Sequence, residues 1–333
     1  MRAAFFKEQA KPLVIQSVEQ PVPANDQLVV RLRNASLNHL DLWIHQEQKS
    51  PYPDGIILGS DGSGQVIAAS EEVEEGLIGK SVVVNPGISW GNNPAVHANS
   101  FSILGFPQHG TFGDYLLISK KQVFEKPPHL SFEEAAALPL AGLTAYRALF
   151  SRARVRPGEK VLITGIGGGA ALFALQFALA FQCKVYVTSS ADEKIEKATQ
   201  LGATAGFNYK ADDWALKAKK EAGGFDVIID SAAGKSFPDL VDLAYPGARI
   251  VMFGRTAGMI PDISPRLIYW KQLSILGTTM GSNDEFLSML DYVEKHQIRP
   301  TIDSTFPLEE VNTAMQRMAS GEHFGKIVLN IKS

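Results

Sequence analysis

The chain has 333 residues, 45% of them hydrophobic and 20% charged, with one cysteine and a formal net charge of −3. That length suffices for about two domains with cores of their own, and so mild a charge excludes the basic surface that would make nucleic acid a main partner. A single thiol excludes an internal disulfide and a cysteine-rich metal site; Cys183, between a helix and a strand, reads as plainly buried.

The amino-terminal residues, MRAAFFKEQAKPL, meet charge too soon for a secretory signal, and no apolar run reaches membrane-spanning length. A cytoplasmic protein with no membrane partner is predicted. Segments 27–32, 64–69 and 81–85 are β-rich and separated by Pro, Gly and Asn clusters, which predicts a mostly antiparallel domain. From 86 to 110 periodicity gives way to Gly, Asn and Pro with His97 and His109, the mark of a long surface lobe.

The most informative stretch is 161–178, VLITGIGGGAALFALQFA, where an apolar run breaks into four glycines and resumes with helical spacing. Strand, phosphate-binding turn and helix follow from that pattern: glycine lets the main chain approach a ligand closely, and the helix offers unpaired amides and a positive dipole end to a pyrophosphate. Gly165, Gly167 and Ala170 satisfy the G-x-G-x-x-G/A spacing, with Gly168 and Gly169 between; a register one step on, through Gly168 and Ala171, fits nearly as well. A strand at 184–190 closes a βαβ unit of about thirty residues. Strands at 226–230, 249–253 and Ser274–Gly277 are interleaved with helical patterns at 192–201 and 237–244, predicting a doubly wound parallel sheet with its ligand at the carboxyl ends. The last segment, 301–333, holds a helical pattern at 308–318 and an edge-like strand at 326–331.

ASLNHLDLW, GIILGSDGSGQV, AALPLAGLTAYRAL, the glycine turn and GKIVL together resemble the medium-chain dehydrogenase/reductase superfamily, and within it the zinc-free quinone oxidoreductase branch. The resemblance runs end to end. It implies an α/β protein in which a GroES-like, mostly antiparallel β catalytic domain spans 1–125 and is completed by 282–333, with a Rossmann domain at 126–281. It further implies an active site in the cleft separating them and a homodimer or homotetramer built through the Rossmann sheet.

A catalytic zinc needs three ligands of the Cys, His or carboxylate kind plus an open position. By the resemblance, the ligand positions of the zinc enzymes hold Asn38, Ser60 and Ala141 here, and the hydroxyl that relays an alcohol proton is replaced by Leu40. Asp61 and His39 remain nearby. No metal site is expected. Without a Lewis acid, alcohol oxidation loses its main driving force, whereas a quinone or α,β-unsaturated carbonyl accepts hydride directly and needs only hydrogen-bond donors for its oxygen. The resemblance implies that Asn38 supplies such a donor and that Trp43 offers a flat apolar wall to the acceptor. Asn38 also reads as a turn residue capping backbone groups, and Trp43 as core. Asp41 reads as a residue that orients its neighbours or joins a structural network. His39 reads either as a donor to a phosphate or as a structural residue.

An NAD-specific site carries an acid roughly twenty residues past the glycines; this chain has Ser189 and Ser190, with Lys194 one turn on. Hydroxyls and a lysine suit a 2′-phosphate, which favours NADPH over NADH, although Asp192 and Glu193 stand close by. The resemblance adds Lys194 and Tyr209 as holders of the adenosine phosphate, and Thr144, Phe253, Gly254, Gly277, Thr278 and Thr279 as the border of the nicotinamide. Lys326 reads as reaching the cofactor or covering the domain seam. The expected function is NADPH-dependent reduction of quinones or α,β-unsaturated carbonyls without zinc. A zinc-type alcohol dehydrogenase and a nucleotide-binding protein with little turnover are the alternatives.

Overall fold

The computed structural model describes residues 1–73 and 75–331; positions 332 and 333, at the expected end of the first domain, lie outside them. Strand β1 (Arg2–Phe6) pairs antiparallel with β2 (Val14–Ser17) and with the short β4 (Ile56–Ile57). Between β2 and β4 run the long strand β3 (Gln27–Ser36) and helix α1 (His39–Glu47). Next come β5 (Asp61–Ala69), β6 (Ser81–Val84), the antiparallel pair β7 (Gly87–Ile88) and β8 (Ser102–Ile103), β9 (Tyr115–Ser119) and β10 (Val123–Glu125). The lobe at 86–110 is thus organised, and the rings of Trp90, His97 and Phe101 pack on one another within it.

Helix α2 (Phe132–Ala137) begins at Ser131, whose hydroxyl accepts from the Glu134 N–H while the Glu134 carboxylate accepts from the Ser131 N–H, satisfying donors that a helix start leaves open. Helix α3 (Pro139–Tyr146) follows. Contacts divide the chain into one unit of Met1–Leu143 with Gly281–Ser333 and another of Thr144–Met280. The first unit takes in α2, which packs on β3 and β5.

The second unit alternates β11 (Lys160–Ile163), α4 (Gly169–Ala180), β12 (Lys184–Ser189), α5 (Asp192–Gln200), β13 (Ala205–Asn208), α6 (Trp214–Ala222), β14 (Phe225–Asp230), α7 (Phe237–Leu243), β15 (Ala244–Met252), α8 (Pro265–Lys271) and β16 (Ser274–Gly277). Its strands are parallel, in the order β13-β12-β11-β14-β15-β16, the doubly wound topology expected. Strand β15 starts well before the predicted position 249. Helix α4 is apolar nearly all round and accordingly buried, with Phe173 and Phe177 at most 2% exposed.

The chain then returns to the first unit through α9 (Asn283–Lys295), β17 (Ile302–Pro307), α10 (Val311–Ala319) and β18 (Lys326–Asn330). The sheet there runs β10-β6-β5-β3-β18-β17, with β9 also on β3. Strand β18 is therefore interior, not the edge strand its position suggested. It lies antiparallel to β3 and parallel to β17, and Ile327, Val328 and Leu329 are fully buried, as a strand covered on both faces requires.

Candidate active site

In the first unit the segment after β3 carries the first group of polar side chains. Asn38 is extended, at φ −130° and ψ 157°, and caps the start of α1. The helix begins here because Asp41 returns its carboxylate to the Asn38 N–H at 2.7 Å, and its second oxygen accepts from the Gly59 N–H at 3.2 Å. Asp41 is fully buried, and burial, with repulsion from Asp61, pushes its pKa up to about 7 against the pull of those N–H bonds.

The Asn38 side chain turns away from the helix. Its Nδ2 donates to Asp61 Oδ2 at 2.9 Å, and its Oδ1 accepts from Lys326 Nζ at 2.6 Å. Lys326 Nζ also donates to Leu37 O at 2.7 Å and to Asp61 Oδ2 at 3.1 Å. Asp61 further accepts from Ser36 Oγ at 3.1 Å and from the Leu140 N–H at 2.9 Å. All of these side chains are buried, Lys326 and Asp61 at 3% and 0% exposure. A charge so placed is stable only with its partner, and deleting one member typically costs about 3–5 kcal/mol.

The three positions that carry ligands in zinc enzymes lie in or beside this cluster: Asn38 is a member, Ser60 precedes Asp61, and Ala141 follows Leu140. An amide, a hydroxyl and a methyl do not match a Cys, His and carboxylate ligand set, and the carboxylate among them holds an ammonium. Among the described residues no three His, Cys, Asp or Glu side chains gather to hold a metal. Ser60 Oγ is buried without a partner among the described residues. Trp43 is 39% exposed on α1, its Nε1 donating to Glu47 at 2.8 Å, so it is not core.

In the second unit the glycine turn bends at two of its glycines. Gly165 and Gly167 sit at φ +65° and +122°, which only glycine adopts readily, while Gly168 is the N-cap of α4 at φ −75°. Gly169 and Ala170 open the helix. The turn is tied to β12: Thr188 accepts from the Gly165 N–H through its hydroxyl at 3.4 Å and from the Ile166 N–H through its carbonyl at 2.8 Å. The Lys194 side chain lies across Gly167, where a Cβ would come within 2.9 Å of Cδ and 3.2 Å of Nζ. Ser189, at the end of β12, accepts from the Ala191 N–H through Oγ and from the Tyr209 N–H through its carbonyl, at 3.2 and 3.0 Å. Ser190 follows, and Tyr209 is 42% exposed. The two nearby acids are engaged elsewhere, Asp192 by Asn208 at 2.9 Å and Glu193 by Lys197 at 2.6 Å.

At the ends of β15 and β16, Phe253 donates its N–H to Asp230 O at 3.1 Å and Thr278 to Met252 O at 3.0 Å. A Cβ on Gly254 would meet Ser231 O at 2.2 Å. Thr278 Oγ1 is buried without a protein partner, flanked by exposed Gly277 and Thr279. All these cofactor candidates except Thr144, buried within α3, stand at or just beyond the carboxyl ends of strands or open α4 and α5. Sequence reasoning missed the anchoring of Asn38 by Lys326 and the bond from Thr164 Oγ1 to Asp230 Oδ1 at 2.6 Å. The second had a signal, a hydroxyl and a carboxylate each beside the end of a neighbouring strand.

One unit that is a doubly wound sheet with a glycine turn and another that is a β domain with a buried polar cluster are the parts of a two-domain oxidoreductase. Family models agree: the alcohol dehydrogenase GroES-like domain matches residues 24–128 and the zinc-binding dehydrogenase domain residues 169–295. The chain is 36% identical to a zinc-type alcohol dehydrogenase-like protein of Schizosaccharomyces pombe, over 97% of this chain and 96% of the relative. It is 30% identical to the quinone oxidoreductase of Lama guanicoe, over 100% and 98%. A crystal structure of an NAD-dependent alcohol dehydrogenase superposes with a TM-score of 0.93 at 33% identity, covering 100% of both chains. The chain belongs to the medium-chain dehydrogenase/reductase superfamily.

Proposed function

We propose that this protein is an NADPH-dependent reductase of quinones or α,β-unsaturated carbonyls that works without a metal. The observation that supports it is the Lys326–Asn38–Asp61 cluster, an amide donor and a buried ammonium at a position that the resemblance matches to a zinc ligand. Bound NADPH supplies a hydride. Asn38 donates from Nδ2 to the acceptor's oxygen as negative charge grows there, and solvent returns the proton. Trp43, open on α1, stacks against the conjugated acceptor.

The dinucleotide reading is supported by the Gly165–Gly167 turn, the start of α4 that follows it, and the Thr278 hydroxyl, which is buried without a partner among the described residues. Preference for the 2′-phosphate is supported by the Lys194 side chain over Gly167, by the hydroxyls of Ser189 and Ser190 after β12, and by Asp192 and Glu193 being drawn to other partners. A homodimer through the parallel sheet accords with the free edge of β16 and the exposed Tyr269 and Trp270, at 66% and 75% exposure.

Purified protein should oxidise NADPH in the presence of phenanthrenequinone at a rate that exhaustive chelation leaves unchanged. NADPH binding without turnover across a quinone and enone panel would overturn the proposal. So would activity lost to chelator and restored by zinc.

A further inference from the structure

We propose that Lys326 and Asp61 are positioning residues that lock the Asn38 carboxamide in one orientation and transmit the ammonium's charge through it to the one N–H left open. The link to catalysis rests on the function proposed above; the lock itself does not.

A carboxamide turned by half a rotation keeps its shape, so its orientation is set by its neighbours' chemistry. Here both neighbours are of a single kind. The Lys326 ammonium only donates, and it lies 2.6 Å from Asn38 Oδ1; the Asp61 carboxylate only accepts when ionised, and it lies 2.9 Å from Nδ2. Reversal would set donor against donor and acceptor against acceptor among fully or nearly fully buried groups, where unmet polar atoms are most unfavourable.

The Lys326 ammonium has no hydrogen to spare. The three hydrogens of Lys326 Nζ go to Leu37 O, Asn38 Oδ1 and Asp61 Oδ2. Asp61 Oδ2 accepts from Asn38 and Lys326 and Oδ1 from the Leu140 N–H, while Ser36 Oγ lies between Asp61 Oδ2 at 3.1 Å and Ala136 O at 2.9 Å with one hydrogen to give. The ammonium is therefore occupied and acts through Asn38. Nδ2 carries a second hydrogen with no protein acceptor among the described residues. A cation bound at Oδ1 withdraws electron density from the amide and makes that hydrogen a stronger donor.

The test uses the full-length protein with asparagine side chains labelled with nitrogen-15, the Asn38 signal assigned by its loss in Asn38→Ala. Wild type should give one pair of well-separated, slowly exchanging amide protons at Asn38. Lys326→Met should move or double that pair, and Lys326→Arg should keep it single. Turnover of phenanthrenequinone by Lys326→Met should fall in kcat by about tenfold or more, with NADPH affinity, read by fluorescence quenching, within about twofold of wild type. Lys326→Arg should recover part of kcat, and Lys326→Met combined with Asn38→Ala should be no slower than Asn38→Ala alone. If Lys326→Met fails to bind NADPH as a folded protein, Asp61→Asn carries the same amide measurement. An Asn38 pair unchanged in the folded variant overturns the lock, whatever the substrate. A perturbed pair with unchanged kcat overturns the transmission of charge. If no quinone or enone is reduced, the function fails and the amide signal still decides the lock.

Discussion

Thr164 Oγ1 donates to Asp230 Oδ1 at 2.6 Å, joining the carboxyl ends of β11 and β14 directly below the glycine turn. Asp230 also accepts from the Ala232 and Ala233 N–H groups at 3.2 and 2.9 Å, and Thr164 Oγ1 accepts from the Ser231 N–H at 3.1 Å. One hydroxyl thus fixes where the turn leaves the sheet. Thr164→Val keeps the shape and removes that bond, leaving a buried carboxylate one donor short. A loss of about 2 kcal/mol in unfolding free energy is expected, together with weaker NADPH binding. Denaturant melts and fluorescence titration check both, and an unchanged melt refutes the role.

Lys194 lies across Gly167, so Lys194→Ala should raise the Kd for NADPH about 10- to 100-fold, the worth of one charge-assisted contact. Binding of NADH should change by less than about twofold. Equal losses for both dinucleotides would show that Lys194 does not read the 2′-phosphate.

Asp41 holds its proton in the folded chain up to about pH 7, whereas in the unfolded chain it releases it at its ordinary value of 3.8. Below 3.8 both states are protonated and the group is neutral to stability. As pH rises from about 4 to 7 only the unfolded chain ionises freely, so stability from this group is lost across that window and then levels off. Asp41→Asn cannot ionise. Its stability relative to wild type should therefore improve steadily from pH 4 to pH 7, read as the difference in Tm; a constant difference would refute the buried titration.

The free edge of β16 and the exposed Tyr269 and Trp270 give a concrete test of the proposed dimer. Trp270→Glu places a charge on that face, and sedimentation should shift the protein toward a monomer with its far-ultraviolet circular dichroism unchanged. A wild-type monomer at micromolar concentration would remove the dimer from the proposal.

Asn38→Ala should lower kcat/KM for phenanthrenequinone by about 100-fold, chiefly in kcat, as loss of a single oxyanion donor does. Trp43→Ala should raise KM by roughly three- to tenfold, the worth of one aromatic contact. Opposite assignments of kcat and KM would exchange their roles.

Features carried by local pattern were legible in the chain. The turn, the alternating strands and the helices of the second unit follow from four glycines, β-branched runs and helical spacing. What stayed hidden depends on residues distant in the chain. The positive φ angles of Gly165 and Gly167 are set by how the turn is tied to β12, which spacing alone does not show. Strands β7 and β8 are two residues each, too short for any period. Strand β18 looked like an edge because it comes last, yet β17, a polar segment with no clear alternation, covers its outer side. Lys326 read as a cofactor or seam residue because nothing in GKIVL announces that its ammonium meets Asn38 and Asp61.

Asn38 and Lys326 are separated by 288 positions in the chain. A ribosome that has finished the first domain's early strands has therefore made an aspartate and an amide whose counter-ion is still unmade. Until β18 slots between β3 and β17, Asp61 must stay hydrated and the nascent segment cannot close over it. A product truncated before Lys326 therefore keeps Asn38 and Asp61 but lacks the ammonium that joins them.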